Sequence, residues 1–87
     1  MGKVAMSIDN KLRTELAPAR LAIEDESSQH HGHAGWRESG ETHFRVEIRA
    51  AQFAGQSRID RSRAVHRVLA EELAGPVHAL AISADAP

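Results

Sequence analysis

The chain has 87 residues, 41% apolar and 26% charged, with a net charge of −1, six histidines and no cysteine. That length fits one domain, and the composition is that of a folded chain rather than a disordered one. A disulfide framework, a C-x-x-C redox centre and a cysteine-ligated zinc finger are excluded, and the near-neutral charge gives no global pull toward nucleic acid or anionic membrane.

Residues 1–10 show neither a secretory apolar core nor an arginine-rich transit pattern, and no run approaches the ~18 apolar residues of a spanning helix. A cytoplasmic, reducing compartment and no membrane partner are therefore expected. Ser7 is placed to cap a first helix running to about Ala17, with Ile8, Leu12 and Leu16 in one apolar row and Pro18 as the stop. Arg20 to Glu26 alternates as a short strand. Residues 27–41 (SSQHHGHAGWRESGE) hold three glycines and no period, which predicts a long loop. Thr42 to Ala50 is the clearest strand, with Phe44, Val46 and Ile48 on one face and His43, Arg45, Glu47 and Arg49 on the other.

Residues 51–55 suggest one helical turn closed by Gly55. Ser57 is the N-cap signal for a long helix to about Ala74, with Ile59, Leu69 and Leu73 in a row and Val65 and Val68 beside them. Gly75 and Pro76 end it. Val77 to Ala84 reads as the last strand. The first two strands should pair antiparallel. The last two are joined by a mainly helical crossover and should run parallel. Both would then start at the same end of the sheet, so topology should gather the loop histidines, His43 and His78 at one edge.

Each histidine also has a structural reading. His78 could be a half-buried side chain bonded to a loop carbonyl. His30, His31 and His33 could be solvated, or an adventitious metal site, since a dedicated zinc site normally shows four spaced ligands. His43 faces the charged side of its strand, which suits a solvated or salt-linked role. His66 shares a row with Ile59, Ser62 and Leu69, which suits packing at the core edge. Trp36 is either a lid over the sheet end or a partner contact. Arg58, Arg61, Arg63 and Arg67 cluster in the first half of the long helix, a solvated face or a patch for phosphate or acidic surfaces. No catalytic set is visible: Ser27, Ser28 and Ser39 lack a positioned base, and no phosphate loop is present. A non-enzymatic role is expected.

Several segments resemble the BolA family: Asp25-Glu26-Ser27; His30-His31-Gly32-His33-Ala34-Gly35; Glu41-Thr42-His43-Phe44-Arg45-Val46; and Phe53-Ala54-Gly55-Gln56-Ser57. The runs Arg61-Ser62-Arg63-Ala64-Val65-His66, Leu69-Ala70-Glu71-Glu72-Leu73 and Val77-His78-Ala79-Leu80 extend the likeness, which covers about Ile8 to Pro87. It implies a single α+β domain spanning residues 1–87, α-β-β-α-α-β, similar to the type II KH fold, with a three-stranded mixed sheet and helices on one face. It also implies a monothiol glutaredoxin as partner and a shared 2Fe–2S cluster. Glutaredoxin and glutathione would supply thiolates; His78 and a loop histidine, His30 or His33 depending on register, would supply imidazoles. Without thiolates the chain alone, a monomer or weak homodimer, should not hold the cluster. The resemblance also implies DNA binding in some bacterial members, so a DNA-binding transcriptional regulator using the KH-like fold and the arginine-rich helix is the alternative. The sequence departs from the family pattern where the usual Arg-His-Arg is Arg61-Ser62-Arg63, where a frequent tyrosine is His66, and in a longer loop. These departures bear on helix contacts more than on the histidine pair.

Overall fold

The computed structural model describes residues 1–30 and 40–87, with Gln29 and His30 described in their backbone alone. Helix α1 (Lys3–Leu16) leads into strand β1 (Arg20–Asp25) and a short 3₁₀ turn at Ser27–His30. Strand β2 (His43–Arg49), a 3₁₀ turn at Ala51–Phe53, helices α2 (Arg58–Val68) and α3 (Ala70–Ala74), and strand β3 (Ala79–Asp85) complete the chain. The sheet order is β1-β2-β3, β1 antiparallel and β3 parallel to β2. This is the α+β arrangement expected, a three-stranded mixed sheet beside three helices.

The core lies between one sheet face and the helices. Alternation in β2 drives Phe44, Val46 and Ile48 inward, where they meet Ile8, Leu12 and Leu16 of α1 and Val65 and Leu69 from the α2–α3 region. Truncating Leu12 or Ile48 to alanine would cost about 2–5 kcal/mol, since both are fully buried. The opposite face stays polar and carries the cross-strand pairs Arg20–Glu47 at 2.9 Å and Arg45–Glu26 at 3.1 Å.

Local details differ from the sequence reading. Helix α1 starts at Lys3, not after Ser7, because its first turn is satisfied from a distance: the Ala5 N–H donates to Glu41 Oε2 at 3.0 Å. Gly2 permits that approach, since a Cβ there would run into the Glu41 carboxylate. Ser7 instead donates to Glu72 Oε2 at 2.6 Å. The long helix is interrupted at Leu69 (φ −100°, ψ 21°). Ile59 is 63% exposed, because the helix turns its Val65 and Leu69 side to the core. Ser57 does cap α2, accepting from the Asp60 N–H at 3.1 Å.

Candidate functional site

His78 precedes β3 by one residue. Upstream, Gly75 and Pro76 end the helical run, and Val77 plugs into the core while its N–H donates to the Glu72 carbonyl at 2.9 Å. The His78 N–H then donates to the Thr42 carbonyl at 2.8 Å, locking the mouth of β3 against the mouth of β2. The His78 side chain is exposed rather than half-buried. Its imidazole packs against that of His43, with ring centroids 5.3 Å apart and planes tilted by 51°.

His43 is the first residue of β2 and only 4% exposed, so the solvated role does not hold, while its electrostatic interaction with the Asp25 carboxylate accords with the salt-linked alternative. Its parity points it to the polar face, yet at the sheet end it is buried, and its Nδ1 lies 2.8 Å from Thr42 Oγ1. Beneath it runs a polar chain. The Ser27 hydroxyl donates to Asp25 Oδ1 at 2.5 Å and accepts from the Thr42 N–H at 2.9 Å and the His43 N–H at 3.3 Å. Asp25 also accepts from the Ser27 N–H at 2.9 Å and the Glu41 N–H at 3.1 Å. Desolvation pushes the Asp25 carboxyl up, but the Ser27 hydroxyl and the two N–H donors outweigh it and hold its pKa below the ordinary value. Gly40 and Glu41 both take positive φ (74° and 59°) where the chain re-enters the sheet. Glu41 thus bears backbone strain of order 1–3 kcal/mol at the residue that also satisfies α1.

The connection between β1 and β2 leaves from this same end: the Glu26 N–H donates to the His43 carbonyl at 2.7 Å, and the 3₁₀ turn that follows ends at His30. His31, His33 and Trp36 lie outside the described residues. Among the described residues no group of three or more histidine, aspartate or glutamate side chains is set to hold a metal ion. An exposed imidazole beside a second imidazole fits a donor set that is incomplete by itself and open on one side. Soft thiolates would have to come from elsewhere, because the chain has no cysteine.

The arginines do not form one patch. Arg58 and Arg61 line a groove beside β3, whereas Arg67 lines a separate groove with Lys11, Gln52 and Gln56. Arg61 is bound to Asp85 at 2.6 Å, and Arg63 lies 3.9 Å from Asp60. His66 is exposed, not at the core edge; its Nδ1 meets the Ser62 carbonyl at 2.9 Å within its own helix. Sequence reasoning undervalued His43: the Glu41-Thr42-His43 approach to β2 was the available signal, but its burial depends on the packing of the sheet end.

Comparison with known proteins agrees with this architecture. The BolA family profile, described as BolA-like protein, matches residues 12–87. BolA-like protein 1 of Mus musculus is 48% identical over 86 residues, covering 99% of this chain and 60% of that protein. The chain thus spans about three-fifths of the length of the curated mammalian relatives it matches. The DNA-binding transcriptional regulator BolA of Escherichia coli is 40% identical over 75 residues, covering 86% of this chain and 68% of that protein. The solved BolA domain of SufE1 from Arabidopsis thaliana superposes with a TM-score of 0.90 at 41% identity, covering 100% of this chain and 95% of that one.

Proposed function

This chain belongs to the BolA family, and we propose from that premise that it is a non-enzymatic, cytoplasmic partner of a monothiol glutaredoxin. In this reading it shares a 2Fe–2S cluster through histidine ligands and serves cluster transfer or iron homeostasis. The observation that carries the reading is the parallel pairing of β2 and β3. It sets the exposed His78 imidazole against His43, at the sheet end from which the histidine-bearing connection departs. His78 is the first ligand and His30 or His33 the second. The partner and glutathione bring the thiolates. Neutral imidazole in place of charged thiolate raises a cluster's potential. The chain's own work is positional: the Thr42 carbonyl fixes the His78 backbone, and the His43 ring limits where the His78 imidazole can swing.

The test is to mix the chain with cluster-loaded monothiol glutaredoxin and glutathione and follow visible absorption and circular dichroism. A new mixed-ligand spectrum is expected, lost in His78→Ala. That variant should melt within about 0.5 kcal/mol of the parent, since surface changes away from special features rarely exceed that. An unchanged spectrum in His78→Ala would overturn the assignment.

A second reading, DNA binding, draws on Arg58 and Arg67, which form no ion pair among the described residues, and on the name of the E. coli relative. Two features weigh against it. Gly55 is followed by Gln56, Ser57 and Arg58, so the Gly-x-x-Gly clamp of KH modules is absent. The arginines also point to two sides of α2.

A further inference from the structure

Strand β3 is an edge of the sheet, and no strand among the described residues pairs with its outer side. Its inner ladder uses the odd-numbered residues: the Ala79 N–H donates to the Thr42 carbonyl at 3.2 Å, and the Asp85 carbonyl accepts from the Ala50 N–H at 3.0 Å. In a parallel pair, alternate residues direct both backbone groups at the neighbour. Leu80, Ile82 and Ala84 therefore turn their N–H and C=O groups outward, and no described residue hydrogen-bonds to them.

Edge strands are normally blunted by charge, proline or a bulge. Strand β1, the other edge, follows that rule with Arg20, Glu24 and Asp25 among its six residues. Strand β3 reads Ala-Leu-Ala-Ile-Ser-Ala-Asp, and its only charge is at the end. Alongside it lies a groove of about 320 Å³ between Ile82–Asp85 and the α2 side chains Arg58, Arg61 and Ser62. Asp85 occupies one guanidinium nitrogen of Arg61, whose Nε is buried with no hydrogen-bond partner among the described residues. Helix α2 sets four arginines against a single aspartate, Asp60.

We propose that the β3 edge binds an extended acidic peptide segment as a fourth strand, its backbone paired with Leu80, Ile82 and Ala84 and its carboxylates facing Arg58 and Arg61. Strand addition supplies main-chain hydrogen bonds for affinity and alternate side chains for specificity. Charge separates this occupant from the others. A second copy paired antiparallel through β3 would set the arginines of one α2 beside those of the other. A phosphate backbone offers acceptors only, and would face three outward carbonyls and the Asp85 carboxylate. A peptide strand presents donors and acceptors in alternation, as the edge does. The inference is independent of cluster sharing, which rests on the histidines at the mouth of β3, whereas the arginine groove lies along Ile82–Asp85.

The probe is a nine-residue peptide alternating valine with glutamate, compared with one alternating valine with lysine. Binding is read by fluorescence anisotropy and by amide hydrogen exchange of the full chain. The acidic peptide should slow exchange at Leu80, Ile82 and Ala84 at least tenfold, and the lysine peptide should leave it unchanged. Arg58→Glu should weaken acidic-peptide binding at least fivefold. Ala84→Pro removes one outward N–H while sparing the inner ladder, and should weaken it as much with the melting temperature retained. Should Ala84→Pro fold poorly, Arg58→Glu and the exchange data decide alone. Equal binding of both peptides, no protection at the three amides, protection that grows with protein concentration without peptide, or stronger protection by a duplex DNA would each overturn the proposal.

Discussion

Replacing Ser27 by alanine tests whether the sheet end is held together as described. Among the described residues its hydroxyl is the only side-chain group that meets Asp25, the Thr42 N–H and the His43 N–H together, and Ser27 is almost wholly buried. The variant leaves the buried Thr42 N–H without its acceptor at 2.9 Å. A buried donor stranded in this way costs about 1–3 kcal/mol. The bond lost by Asp25 adds little, because that carboxylate is exposed and water can replace the hydroxyl. In a domain of this size, about 2 kcal/mol corresponds to a drop in melting temperature of roughly 8–16 °C. Thermal melts by far-ultraviolet circular dichroism at pH 7 measure it, with Ser28→Ala, an exposed neighbour, as control.

The pH dependence carries a second signature. Asp25 has a folded pKa below its unfolded value. Its contribution is present above the unfolded pKa and is lost as pH falls through the folded one. Without Ser27 the Asp25 pKa should move back toward the ordinary value, so this part of the acid-side loss should shrink in the variant. A melting temperature within about 2 °C of the parent at pH 7, half or less of the shift expected from 1 kcal/mol, would refute the account of the network.

Glu72→Gln should destabilise the fold by about 1–2 kcal/mol in urea unfolding, because the buried carboxylate accepts from Ser7 at 2.6 Å and pairs with Lys11 at 2.8 Å. Burial pushes the Glu72 pKa up, but the bonds from Lys11 and Ser7 outweigh it and leave the pKa lowered. The parent should therefore lose this stability as pH falls through the folded pKa, and the variant should lack that part of the acid dependence. Reconstitution of the isolated chain with iron and sulfide should yield no stable cluster, and a stable, full-occupancy 2Fe–2S spectrum would contradict the shared-ligand reading. Any duplex DNA affinity should stay in the nonspecific range of roughly 10⁻⁴–10⁻⁶ M at physiological salt. Replacing Arg58 and Arg67 together should flatten its salt dependence by up to about two counterions, whereas nanomolar, sequence-specific binding indifferent to His78 would favour the regulator.

Features governed by local periodicity were legible before any coordinates. Phe44, Val46 and Ile48 alternate into the core, and Ile8, Leu12 and Leu16 form the buried row of α1. The crossover length implied the parallel β2–β3 pair, and with it the end of the sheet where His78 lies. What escaped depends on contacts distant in sequence. The start of α1 is set by Glu41, 36 residues beyond the N–H it accepts from, which the local capping signal at Ser7 does not contain. His66 and Ile59 looked inward because helical spacing ranks faces by hydrophobicity, while α2 buries its Val65 side and leaves both exposed. His43 escaped for the opposite reason: strand parity put it on the polar face, yet at the end of the sheet it is buried.

That last case bears on how the site works. A lone exposed imidazole on a strand mouth has a wide range of side-chain positions, and ordering it on a partner's metal centre costs entropy. Here the His43 ring sits 5.3 Å from that of His78, and its own position is set through Thr42, Ser27 and Asp25. On the proposed reading, part of that ordering cost is met in the free chain. The same polar chain closes the connection onto the sheet, since Asp25 and Ser27 on one side of it bind Glu41, Thr42 and His43 on the other. One network therefore steadies the fixed histidine and anchors both ends of the segment that carries His30 and His33. On the proposed cluster-sharing reading, weakening it at Ser27 should loosen both proposed ligands together. In the cluster-sharing assay Ser27→Ala should consequently lower the affinity for loaded glutaredoxin without removing either ligand, whereas His78→Ala removes one outright. Identical affinity in Ser27→Ala and parent, despite the expected loss of stability, would show that the network serves the fold and not the site.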